Sequence, residues 1–174
     1  MDSVRERIVA LHGETCLRRS ALRIRDGAGA FEWAMKGRGY RTALEIGTYR
    51  GASAAEMAQF CDRVITIDLK HGQLTIDFDR HAFWRSLGVE NIDLHLVADD
   101  REKAALIAGL DFQFAFVDGA HDERVNADFA MVRRCGNVLF HDYEPGGHVA
   151  RLVDGLPAHE VQTRDIFALW SDRG

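Results

Sequence analysis

Asp68, Asp99, Asp118 and Asp142 each stand at or just beyond the end of a short apolar run, and His121 comes three residues after Asp118. If the runs ending at Asp118 and His141 are neighbouring strands, their backbones lie about 5 Å apart, and the carboxylates of Asp118 and Asp142 can share one cation. All-oxygen ligation suits Mg²⁺ first, with Mn²⁺ or Ca²⁺ as alternatives. Such an ion would hold a substrate hydroxyl and lower its pKa. Histidine is the side chain whose ordinary titration range lies nearest neutral pH, so His121 could take the released proton. Blander readings stand beside these: Asp118-Gly119 is also a turn sequence, Tyr143 could be packing, and His141, ending a buried run, reads as a core or rim histidine rather than a ligand.

A second constellation lies upstream, in Ala43-Leu44-Glu45-Ile46-Gly47-Thr48-Tyr49-Arg50-Gly51 followed by Ala52-Ser53-Ala54-Ala55-Glu56-Met57-Ala58. It reads as strand, glycine-bearing turn and helix start, which together make a nucleotide cradle. Asp68 follows Gly47 by 21 residues, at the end of the next apolar run, where a carboxylate can accept both ribose hydroxyl protons of a nucleoside. A dinucleotide site would call for GxGxxG, and the middle glycine is missing. Tyr49 and Arg50 would crowd a diphosphate, so a smaller, phosphate-free nucleoside fits better.

Positioning these residues requires a sheet. Short apolar runs at Ala43–Ile46, Val64–Asp68, Ile92–Val97, Phe114–Asp118 and Asn137–His141 have the character of strands buried on both faces. Helical patterns lie between them at Ser53–Cys61, Asp79–Leu87, Arg101–Ala108 and Asp122–Arg134, the last stopped by Gly136. Five βα units in series predict an α/β fold with a doubly wound, mostly parallel sheet. Two further runs, near His159–Thr163 and Ile166–Trp170, are linked only by Arg164-Asp165, so they predict an antiparallel C-terminal hairpin. In such sheets ligands bind beyond the carboxyl ends of the strands, where the polar residues above fall. Ahead of the sheet come a first helix opened by a Ser3–Glu6 capping box, an arginine-bearing stretch from Cys16 to Asp26, and a helix over Ala28–Lys36. Leu69–Asp77 reads as a loop.

The 174 residues predict a single domain, with 1–40 a helical segment and 41–174 the sheet core. With 22 basic against 27 acidic residues, the net charge of −5 argues against nucleic acid or an anionic membrane as the main partner. Three widely spaced cysteines form neither a disulfide framework nor a CxxC site, which points to a reducing cytoplasm. No run approaches a membrane span.

The segment Glu45–Ser53 resembles motif I of class I S-adenosylmethionine-dependent methyltransferases. Val117-Asp118-Gly119-Ala120-His121, the downstream Asp128 and Phe140-His141-Asp142-Tyr143 resemble one branch of them, the methyltransferase domain 24 type. That branch is similar to cation-dependent O-methyltransferases acting on catechols and macrolide sugars. The resemblance covers about Ala28–Leu156 and implies a Rossmann-like fold binding S-adenosylmethionine. Carried over, it puts Glu45, Gly47, Thr48 and Gly51 around the methionine part, Tyr49 and Ser53 also among the cofactor-binding residues, Asp68 on the ribose and Asp99 beside the adenine. Asp118 and His121 would lie next to the transferable methyl. The pattern departs at Asp100, where a serine is usual, and at Arg134-Cys135-Gly136, where "PGG" is usual. The implied activity is methylation of a small hydroxylated acceptor, with a second copy of the chain as a possible partner to cover a short active site. A cofactor-binding domain without transferase activity is the first rival; a nicotinamide-dependent oxidoreductase is the second, disfavoured by the missing glycine.

Overall fold

The computed structural model describes residues 2–17, 20–23, 27–70, 78–119 and 122–172. Helix α1 (Val4–His12) opens with the Ser3–Glu6 capping box, each residue's side chain bonding the other's backbone N–H. Its Val4 and Ile8 are buried, whereas Leu11 in the last turn is 58% exposed. The arginine-bearing stretch forms short 3₁₀ turns at Glu14–Leu17 and Ala21–Arg23; Arg18, Arg19 and 24–26 fall outside the described residues. Helix α2 spans Gly27–Met35.

The sheet follows. Its strands are β1 (Thr42–Ile46), β2 (Arg63–Leu69), β3 (Ile92–Val97), β4 (Phe114–Val117), β5 (Asn137–Phe140), β6 (Val161–Arg164) and β7 (Phe167–Ser171), in the spatial order β3-β2-β1-β4-β5-β7-β6. The first five run parallel; β7 pairs antiparallel with both β5 and β6, so the expected hairpin closes the sheet with its second strand inside. The connections are α3 (Ala52–Met57), α4 (Arg80–Ser86), α5 (Asp100–Ala108), α6 (Arg124–Val132) and α7 (His148–Val153). Winding reverses between β1 and β4, which places the switch point beside Ile46 and Val117.

Alternation along each strand builds two cores. Ala43, Val64, Phe114, Phe116 and Leu139 face α1–α4, whereas Leu44, Ile65, Ala115, Val117 and Phe140 face α5–α7. Phe31 of α2 meets Phe116 of β4 edge-on at 4.9 Å. Helix α3 lies close to the sheet because Ala52, Ala54 and Ala55 are small and fully packed. It stops short of the expected Cys61: the backbone tightens into i→i+3 bonds at Gln59 and Phe60 so that the chain can turn back into β2. Strand β3 corrects a second expectation. It is not buried on both faces: it forms one of the sheet's two edges, with Asp93 and Leu96 exposed. All three cysteines are free thiols. Among the described residues, no helix is long and apolar enough to cross a membrane.

Candidate active site

The turn after β1 passes between two neighbours that dictate its glycines. Gly47 has φ 101, and a Cβ there would lie 2.4 Å from the Asp118 carbonyl oxygen and 2.8 Å from the Gly119 Cα. Gly51 has φ 81, and its Cβ would lie 2.5 Å from the Trp84 indole, whose Nε1 donates to the Gly51 carbonyl at 2.8 Å. Both glycines are therefore demanded by the protein's own packing. Tyr49 between them is left-handed, with φ 45, and its N–H donates to Asp68 Oδ2 at 3.1 Å.

Beneath the turn lies a sealed polar chain. Glu45 points from β1 toward α3, opposite Thr66 of β2 in the parallel register. Ser53 of α3 and Thr66 both donate to its carboxyl, and Thr66 shares a hydroxyl bond of 2.6 Å with Thr48. Glu45, Thr48 and Ser53 are all buried, so they act on anything bound above through the shape of the turn. Burial pushes the Glu45 carboxyl up to about 8 against the hydrogen bonds from Ser53 and Thr66, with Asp118 and Asp68 adding to the rise. A raised acid favours folding in its protonated form. Its contribution is complete below about 4.5 and fades as pH rises through about 8. Glu56, buried and pushed up to about 7, acts over an overlapping window. Glu45→Gln should flatten part of this slope: in urea titrations at pH 5 and 8.5, the wild type should lose on the order of 2–4 kcal/mol more than the variant. Equal losses would show that Glu45 does not titrate in that window.

Asp68 ends β2 with both oxygens engaged. Oδ1 accepts from the Leu69 N–H at 2.9 Å, and Oδ2 also meets Arg80 Nη2 at 3.0 Å. Asp99, at the end of β3, caps α5 by accepting from the Glu102 N–H at 2.8 Å. Its neighbour Asp100 pairs with Lys103 at 2.8 Å.

On the other side of the switch point, β4 and β5 pair with Val117 opposite Phe140, and this register brings Asp118 beside His141. Asp118 Oδ1 lies 2.9 Å from His141 Nδ1. The left-handed backbone at Asp142, φ 57, lets its carboxylate reach the same nitrogen at 3.2 Å. Oδ1 of each aspartate and Nδ1 thus converge on one point, each within 4.8 Å of the others. Burial disfavours a charged His141, but the hydrogen bonds to Asp118 and Asp142 outweigh it and push the imidazole up to about 9. Its Nε2 is buried without a partner among the described residues. The corner at Gly119 rests on Asp128 of α6, a buried carboxylate whose Oδ1 takes Lys103 Nζ at 2.6 Å.

The structure thus brings Asp118 and Asp142 together as their spacing implies, and adds His141, which is no mere core or rim histidine but bonds both carboxylates. His121, assigned the proton, lies outside the described residues, as do His71 and the rest of 71–77. Arg80 and Trp84 were not foreseen; they reach the site from α4, and no local pattern marks them.

Polar groups flank the switch point, one set on β1 and β2 and the other on β4 and β5, where open α/β sheets bind ligands. Residues 44–143, more than half of the chain, match the methyltransferase domain family, and the chain belongs to it. No curated protein matches the chain in sequence. Among solved structures, the O-methyltransferase from Bacillus cereus in complex with SAH is similar with a TM-score of 0.69 at 14% identity, over 99% of this chain and 92% of that one. TomG, an O-methyltransferase from Streptomyces achromogenes involved in tomaymycin synthesis and solved with SAM, gives 0.66 at 18% identity, over 98% and 90%. At these identities the likeness establishes the fold.

Proposed function

We propose that the chain is an S-adenosylmethionine-dependent O-methyltransferase that acts on a small hydroxylated acceptor with a divalent cation at Asp118, His141 and Asp142. The observation that carries this reading is the convergence of those three donors beside the turn over Asp68. Their N···O separations of 2.9 and 3.2 Å leave the three donors close enough to hold one ion, which would have to displace the Nδ1 proton that bridges the carboxylates without it. A bound cation would supply Lewis acidity toward the acceptor hydroxyl.

Transfer forms an O–C bond as the S–C bond breaks, and the acceptor proton has to leave. Asp68 would anchor the ribose, with the Tyr49 N–H holding the carboxylate in place. Asp118 and Asp142 would set the acceptor's position and stabilise positive charge beside its oxygen, leaving His121 to take the proton. Labelled methyl should pass from the donor to members of a panel of catechols, phenols and glycosides; cofactor binding with no transfer to any of them would favour an inert binding domain.

The imidazole changes the expected ion. A nitrogen beside two carboxylates favours Mn²⁺ or another first-row divalent ion over Mg²⁺ or Ca²⁺, which take all-oxygen sets. Thermal stabilisation at equal concentrations should be larger with Mn²⁺ than with Mg²⁺, and Asp142→Asn should remove it. Stabilisation that survives this change would take the cation away from the cluster.

A further inference from the structure

An ionised carboxylate has about four lone-pair positions, two on each oxygen. At Asp68 three are filled. Oδ1 accepts from the Leu69 N–H, while Oδ2 accepts from the Tyr49 N–H and from Arg80 Nη2. Among the described residues this leaves one position on Oδ1 and none on Oδ2. A ribose diol brings two donors, one for each oxygen, so the second has to enter a filled position.

The three occupants differ in their freedom to leave. Leu69 is the adjoining residue of β2, and the Tyr49 N–H belongs to a turn pinned between Asp118 and Trp84. Arg80 is a side chain. Its Nε donates separately to the Tyr49 carbonyl at 2.5 Å, so Nη2 can swing off Asp68 while the arm stays tethered. Arg80 and Asp68 are only 12% and 20% exposed, so their contact is sheltered rather than a solvated surface pair.

We propose that Arg80 stands in for a ribose hydroxyl: it fills the open position on Asp68 Oδ2 when no nucleoside is bound and surrenders that position when one binds. The proposal rests on Asp68 being the ribose acceptor. Its thermodynamic consequence is a coupling, because a contact present in the empty site and lost in the filled one weakens binding by its own strength. Arg80 therefore lowers affinity for nucleosides with an intact diol and leaves untouched those that lack it.

The test is calorimetric titration of wild type and Arg80→Met with S-adenosylhomocysteine and with its 2′,3′-dideoxy analogue. The readout is the preference for the diol, the ratio of the two dissociation constants. Loosening of the turn on loss of the Nε contact affects both ligands alike and cancels. The preference should rise about threefold to tenfold in Arg80→Met, the range of one charge-assisted hydrogen bond offset by water. Arg80→Gln, which also vacates Oδ2, gives the same readout if the methionine variant does not fold. A clear preference in the wild type that stays equal or falls in the variant overturns the stand-in role alone. No preference for the diol in either the wild type or the variant removes Asp68 from the ribose and the proposal with it.

Discussion

Asp118→Asn should lower methyl transfer by about a thousandfold, the loss expected when several kcal/mol of charge stabilisation at the acceptor is withdrawn. The substitution keeps the shape of the side chain but removes the charge at the one residue shared by the cation cluster and the proposed methyl position. It should also abolish stabilisation by Mn²⁺, because the asparagine leaves a neutral carbonyl in place of a carboxylate and Asp142 alone then carries negative charge in the cluster. Folding should survive, since the amide oxygen of asparagine can still accept from His141 Nδ1 and the backbone of Asp118 packs against Gly47. Steady-state kinetics and thermal shift on the same sample check both parts. Activity within tenfold of wild type, in a protein with an unchanged circular dichroism spectrum, would remove Asp118 from the chemistry.

Gly47→Ala should cost more than about 3 kcal/mol of stability, or prevent folding outright. Two penalties add there. The residue sits at φ 101, which disfavours any Cβ, and the added carbon would land 2.4 Å from a backbone oxygen of the adjacent central strand. Backbone at the end of β4 cannot withdraw without breaking its pairing with β1 and β5. Gly37 supplies the control, with φ 73 and no atom within 4 Å of its Cβ position, so Gly37→Ala should cost only about 1 kcal/mol. Urea titration of the two variants separates the readings. If Gly47 serves only to admit a ligand, Gly47→Ala will unfold like Gly37→Ala and fail solely in binding.

The sheet was legible because each parallel strand is a short apolar run between helical patterns, and the hairpin because two residues cannot cross over. Helix ends were less so. Helix α6 stops at Val132 and passes through a 3₁₀ turn to the left-handed Gly136, whose role as a stop was visible. The exposure of β3 depends on its place at the edge, which only the assembled order settles. At the site, Asp118 and Asp142 could be paired from the strand ends alone. His141 required the register, which sets residue 118 beside 141 rather than 142. The contacts of Trp84 with Gly51 and of Arg80 with Asp68 join residues 33 and 12 apart through an intervening strand or loop, so nothing in either local sequence announces them.

The central claim, a nucleoside-bearing methyl donor held over Asp68, is tested most directly by calorimetric titration with S-adenosylhomocysteine and with NAD. The geometry predicts one saturable site for S-adenosylhomocysteine, weakened by Asp68→Ala, and no measurable binding of NAD. Binding of NAD without S-adenosylhomocysteine would contradict it.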